Sequence, residues 1–109
     1  MTAFEISDLM TRRASSGKLY LEFLRVPAMS MGLYTLPAGG VDPQSPHAED
    51  EAYYVISGRG QIFVGGEDRP VQPGSLVFVA AGVDHHFHSI TDELQILVFF
   101  APAEKHSND

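Results

Sequence analysis

The sequence predicts an all-β sandwich or barrel behind one short N-terminal helix. Three observations carry this. After residue 17, turn signals built from Gly, Pro and Asp recur roughly every 8–12 residues. Between them lie short runs rich in β-branched and aromatic residues, which suit a pleated, half-buried surface. The seven prolines fall in turns or at run ends, and none interrupts an apolar run.

Each element follows from local pattern. Ile6, Leu9, Met10 and Ala14 share one face of a helix over residues 4–14. Glu5 and Asp8 come early and Arg12 and Arg13 late, as the helix dipole favours. Ser15-Ser16-Gly17 ends the helix, so residues 1–17 form a helix and turn. Residues 18–102 then read as a single barrel domain. Leu19, Leu21 and Phe23 alternate with Tyr20, Glu22 and Leu24. Met29–Leu36 closes at Pro37-Ala38-Gly39-Gly40, and Ala52–Ile56 closes at Ser57-Gly58-Arg59-Gly60. Gln61–Val64 leads into a hairpin turn at Gly65-Gly66-Glu67-Asp68. Leu76–Val79, His85–Ile90 and Leu94–Phe100 follow. Residues 103–109 are expected to be a flexible tail, with no specific role for His106.

Composition narrows the chemistry. A chain of 109 residues and 11.9 kDa supports one domain. It has no cysteine, which excludes disulfides, thiolate metal sites and thiol nucleophiles. Any metal must therefore sit among nitrogen and oxygen ligands. Seven Lys and Arg against 14 Asp and Glu leave a net charge of -7 without a basic cluster, so neither nucleic acid nor a membrane surface is an expected partner. The longest apolar stretches, Leu76–Gly82 and Ile96–Pro102, are strand length and far short of a membrane span. No basic segment precedes an apolar core at the N-terminus, and a cytoplasmic location is the expectation.

Four of the five histidines lie where strand signals meet turns. At the first place His47 stands four residues before Glu51, and six residues separate Glu51 from Gly58. At the second, Gly74, Gly82 and His85 keep a regular spacing. These two motifs, fifteen residues apart, resemble those of the cupin superfamily of small β-barrels. That resemblance implies a double-stranded β-helix or jelly-roll barrel with a metal site inside it. It carries over onto His47, Glu51 and His85 as ligands. Ser45 stands where the family has its first His, Ala80 replaces a Pro and Ser89 an Asn. A hydroxyl is a poor ligand for a divalent ion, so the site does not extend to Ser45.

Two imidazoles and one carboxylate suit a divalent first-row transition metal: Fe, Mn, Ni, Cu or Zn. They leave the ion at roughly +1 and with open positions, an arrangement that permits catalysis. Glu49, which shares parity with His47, is a possible substitute ligand, and Gln44 can swing in. Strand alternation places Glu51 and Tyr53 on one face, and His85, Phe87 and Ser89 on one face. Tyr53 and Phe87 are therefore expected in the pocket wall, with Met31 or Tyr34 beside them. His86 and His88 point the other way and are expected at the surface or an interface. The resemblance implies a metal-dependent enzyme on a small molecule, of oxygenase, isomerase or lyase type. The alternative is a non-enzymatic barrel that binds a small ligand, metal-free because of Ser45. Apolar residues on both faces of the 18–26 segment further predict a homodimer.

Overall fold

The computed structural model describes residues 1–105; His106 and the rest of the tail lie outside them. Helix α1 spans Ile6–Ser16, and the strands are β1 (Tyr20–Val26), β2 (Met29–Leu36), β3 (Asp50–Val64), β4 (Glu67–Val71), β5 (Leu76–Val79) and β6 (His85–Ala101). All pairings are antiparallel, in the order β1-β2-β6-β3-β4, with β5 also on β3. No helix among the described residues is long and apolar enough to cross a membrane.

Two long strands, β3 and β6, make this one sheet into a jelly-roll barrel. Their ladder slips register between Val55 and Gln61, where a bulge adds twist and bends both strands. Gly58 sits at this bend with φ 96, and a Cβ there would lie 2.1 Å from the Glu93 carbonyl oxygen. Only glycine fits. Ser89, opposite, is the one non-glycine residue with positive φ (50) among those described. The sequence pattern breaks at Ser57–Gly60 and again before Leu94; the structure runs through both breaks. A bulge bends a strand without ending its ladder, so the turn residues mark corners rather than strand ends.

The bend turns both halves of β3 and β6 inward on one core. Leu36, Tyr53, Val55, Ile62, Phe87, Leu94, Ile96 and Val98 are all buried there. Strand β4 has no apolar pattern and carries Pro70, so its sequence does not announce it. As an edge strand it tolerates the missing donor. Its hairpin to β3 turns on Gly65-Gly66 alone, both with positive φ, and Glu67 already pairs with Val64.

Helix α1 begins after Glu5 and ends at Gly17 in the left-handed conformation, two residues later than the pattern suggests. Leu9 is its buried residue, and Phe4 packs edge-on against Phe23 of β1 at 4.9 Å. Tyr20 of β1 faces the opposite way, into a pocket of the barrel. The chain itself thus takes up much of the two-faced apolar character of β1. Beyond β6, three backbone N–H groups tie the chain down. Ala103 donates to the Pro27 carbonyl (3.4 Å), Glu104 to Ser30 Oγ (2.9 Å) and Lys105 to Glu49 Oε2 (3.3 Å).

Candidate metal centre

Glu51 and His85 meet because the sheet bends. His85 pairs with Val64 at the far end of β3, and a straight strand from Glu51 to Val64 would run roughly 43 Å. In the folded chain His85 Nε2 lies 3.0 Å from Glu51 Oε1, and both side chains are almost fully buried. His47 arrives from the extended segment before β3. Its carbonyl oxygen accepts from the Gly82 N–H (2.7 Å), which fastens that segment to the turn leading into β6. One ligand atom from each of His47, Glu51 and His85 then lies within 4.8 Å of the others.

The fourth group is Gln44. Its Nε2 donates to Asp42 Oδ2 (2.9 Å) and to the Tyr53 hydroxyl (3.1 Å). A carboxylate only accepts, so the amide nitrogen and not its oxygen faces Asp42, and this fixes the amide orientation. Gln44 Oε1 consequently faces His47 Nε2 at 3.1 Å and His85 Nε2 at 3.2 Å. Asp42 is the buried anchor of this arrangement. It also accepts from the Tyr34 hydroxyl (2.6 Å) and the Phe87 N–H (2.8 Å).

With His85 neutral, protons do not account for its contacts. His85 Nδ1–H donates to the Val83 carbonyl (2.9 Å), so in the neutral ring the Nε2 lone pair points at two oxygen acceptors. In that state Glu51 Oε1 is buried without a hydrogen-bond partner; only a protonated His85 Nε2 would supply one. Buried acceptors turned on one another attract a positive charge. The same attraction acts on the His85 pKa. Burial alone pushes its pKa down. The Glu51 contact, the Val83 carbonyl and the charges of Glu51 and Asp42 outweigh this and raise it. The chemistry of the donor set, two imidazole nitrogens with a carboxylate and an amide oxygen, fits a divalent transition metal.

A pocket of about 250 Å³ adjoins the cluster, lined by Tyr20, Tyr34, Gln44, Ser45, Tyr53 and Glu104 with an apolar floor of Pro43, Val98 and Phe100. Tyr53 is in the wall. Phe87 is not: it is buried behind Tyr53, edge-on at 4.9 Å, because the Asp42 bond to its N–H draws the segment before β3 over it. Glu49 also stands outside the cluster, since the strand alternation that pairs it with His47 does not hold in the extended segment. His86 stacks on Phe63, and His88 contacts Asp68 and Ser89, both away from the cluster. Asp42, Tyr20 and Glu104 carry no motif signal. Glu104 Oε2 lies 3.6 Å from His47 Nδ1, on the side of the ring away from Gln44.

The cupin-domain family model matches residues 32–102, from within β2 to the end of β6 and including every residue of the cluster. The chain belongs to the cupin family. This cupin is similar to the uncharacterized protein SCO3923 of Streptomyces coelicolor, 51% identical over 104 residues that cover 95% of this chain and 99% of that one. Among solved structures it is similar to TT1209 from Thermus thermophilus, with TM-score 0.77 and 26% identity over 94% of this chain and 99% of that one. It also shares its fold with the DMSP lyase DddQ from Ruegeria pomeroyi, with TM-score 0.66 and 23% identity over 70% of this chain and 39% of that one.

Proposed function

We propose that this cupin holds one divalent transition metal (Fe, Mn, Ni, Cu or Zn) through His47, Glu51 and His85. Gln44 Oε1 takes the place that Ser45 leaves in the ligand set. The reading rests above all on Glu51 Oε1, a buried carboxylate oxygen that, whenever His85 is neutral, faces an imidazole lone pair and has no hydrogen-bond partner. Such a group costs about 1–3 kcal/mol or more unless a cation meets it. When bound, the ion supplies a Lewis acid that polarises an oxygen of a small molecule in the adjoining pocket. The chain's own groups bind and orient. Asp42 and Tyr53 hold the Gln44 amide, the Val83 carbonyl fixes the His85 tautomer, and Tyr53 and Tyr34 stay protonated because burial raises their pKa. We place the activity in the oxygenase, isomerase or lyase class.

The test is metal content after purification without affinity tag or chelator, repeated after loading with each of the five ions. We expect one equivalent in the parent, lost in His47→Ala and His85→Ala. No metal in the parent after every loading trial would overturn the reading. It would favour a metal-free ligand-binding barrel, in which the Gln44 amide bridges the two imidazoles.

A further inference from the structure

The outer side of the sheet is apolar where a sheet facing water carries polar residues. Strand alternation and register line up two rows there, each crossing five strands. One row runs Leu24, Met31, Phe99, Ala52 and Phe78; the other runs Leu21, Leu33, Leu97, Tyr54 and Leu76. Neither row contains a charged residue. Their neighbours along the strands, such as Val98, Tyr53 and Val79, pack in the barrel core, so the rows face away from it.

Helix α1 covers one end of this face. It packs on β1 and β2, where Leu9 and Leu33 are buried outside the barrel core. The other end has no cover among the described residues. Leu76 and Phe78 are 74% and 64% exposed, and Tyr54 is 37% exposed. Of the eight large hydrophobic residues exposed among those described, five lie on this face or at its margin: these three with Phe4 and Val26. Strand β5, which brings Leu76 and Phe78, pairs only with β3. Residues 72–82 around it carry no charge, although charges are the usual means of keeping an edge strand apart from other chains.

The face has a hollow as well as a projection. Where α1 meets the sheet lies a groove of about 510 Å³, lined by Phe4, Leu24, Met31 and Leu97, with Thr2 as its polar residue. Leu24, Met31 and Leu97 belong to the two rows, so the groove and the projecting Phe78 are opposite ends of one surface. A projection and a hollow of like chemistry on one chain fit a second copy turned by a two-fold axis, in which every contact occurs twice. Charge points the same way. Each chain carries -7, so two copies repel except where the meeting surfaces are uncharged. A stable dimer buries about 800 Å² on each partner. With side chains of roughly 150–250 Å² each, Leu76, Phe78 and Tyr54 offer roughly 300 Å² of it, and the rest comes from the half-buried row residues and the groove walls.

We propose that two copies of this chain associate about a two-fold axis through this face, with Leu76 and Phe78 of each copy in the groove between α1 and the sheet of the other. The contact lies across β6, β3 and β5, not along the outer edge of β1. It is independent of the metal reading, because the rows lie on the side of the sheet away from His47, Glu51 and His85.

Sedimentation equilibrium of the full-length protein at micromolar concentration tests it, and we expect a dimer. Phe78→Asp and Leu76→Asp each bring two charges into the contact, one per copy, and should raise the dimer Kd at least about a hundredfold. Both positions are exposed in the single chain, so circular dichroism and metal content should match the parent. Val41→Asp, at a position 80% exposed but outside this face, should stay dimeric. The chain has no cysteine, so the double variant Leu76→Cys, Ala3→Cys reports the arrangement directly. Oxidation should link position 76 of one copy to position 3 of the other, as read by peptide mapping. A monomeric parent would overturn the proposal and leave the face to a partner of another kind. A dimer that survives both Asp variants, larger open assemblies, or a link from 76 to 76 in place of 76 to 3 would each overturn it as well.

Discussion

Replacing Glu51 with Gln should make the metal-free protein more stable while weakening its hold on metal. In alkaline solution His85 carries its proton on Nδ1, against the Val83 carbonyl, and the Nε2 lone pair faces Glu51 Oε1 at 3.0 Å. The amide of Glu51→Gln donates to that lone pair and removes the buried negative charge. One unsatisfied buried acceptor relieved is worth about 1–3 kcal/mol, and one hydrogen bond gained about 0.5–1.5 kcal/mol. Lost solvation of the wild-type charge is already partly offset by its surroundings, so a net gain of about 1–3 kcal/mol is expected. For a domain of this size that is roughly 5–20 °C in Tm.

The sign of the pH effect follows from His85. Its pKa is raised above the ordinary 6.5 in the folded protein. Stability from that shift is therefore fully present below 6.5 and is lost as pH rises through the folded value. The wild-type protein weakens across that window, whereas Glu51→Gln, lacking the charge, stays flatter. Urea denaturation in chelator at about pH 9 and about pH 6 should show the variant's advantage largest at the higher pH. Saturating metal should reverse the order, because a ligand at a thousandfold its Kd adds about 4 kcal/mol to the state that binds it. A Glu51→Gln protein no more stable than wild type at about pH 9 without metal would refute the claim that Glu51 is strained by what it faces.

Asp42→Ala leaves the buried Phe87 N–H without its acceptor and frees the Tyr34 hydroxyl and the Gln44 amide. A loss of about 2–5 kcal/mol in denaturant unfolding is expected, with weakened metal uptake as Gln44 turns; a loss under about 1 kcal/mol would count against Asp42 as the anchor. Gly58→Ala puts a Cβ against the Glu93 carbonyl at a positive φ, and should cost at least about 2 kcal/mol or abolish soluble expression. Wild-type stability in that variant would show that the bend between the two halves of β3 lies elsewhere. Glu104→Gln should weaken metal binding by about tenfold or less in competition with a chromogenic chelator, since its carboxylate reaches the outer nitrogen of His47 and not the one that faces the cluster. A complete loss of metal would instead place Glu104 among the ligands.

What the sequence disclosed and what it hid follow one rule. Alternation along a strand is local, so the inward set of Glu51 and Tyr53, and that of His85 and Phe87, was legible residue by residue. Corners were misread as ends, because a glycine that stops a strand and one that bends it look alike in sequence. Outside the strands, parity has no meaning. It suggested Glu49 beside His47, while the extended segment turns Glu49 to the Lys105 N–H. Tyr20 and Glu104 were invisible for another reason: one lies in an ordinary alternating strand and the other in what reads as a loose tail, and only the closed barrel brings them to one pocket.

The Ser45 position carries the argument furthest. Counted by spacing, it is a missing ligand and an argument for a barrel without metal. In the folded chain Asp42 and Tyr53 hold the amide of the preceding residue with its oxygen toward both imidazoles. A motif fixes ligands by position, but a metal responds only to donor atoms and their convergence. Gln44 supplies a donor atom one residue away from where spacing looks for it. On the metal reading proposed above, the departure from the motif is therefore a change of ligand type rather than the loss of a site, and a neutral amide oxygen in place of an imidazole leaves the charge set by His47, Glu51 and His85 unaltered.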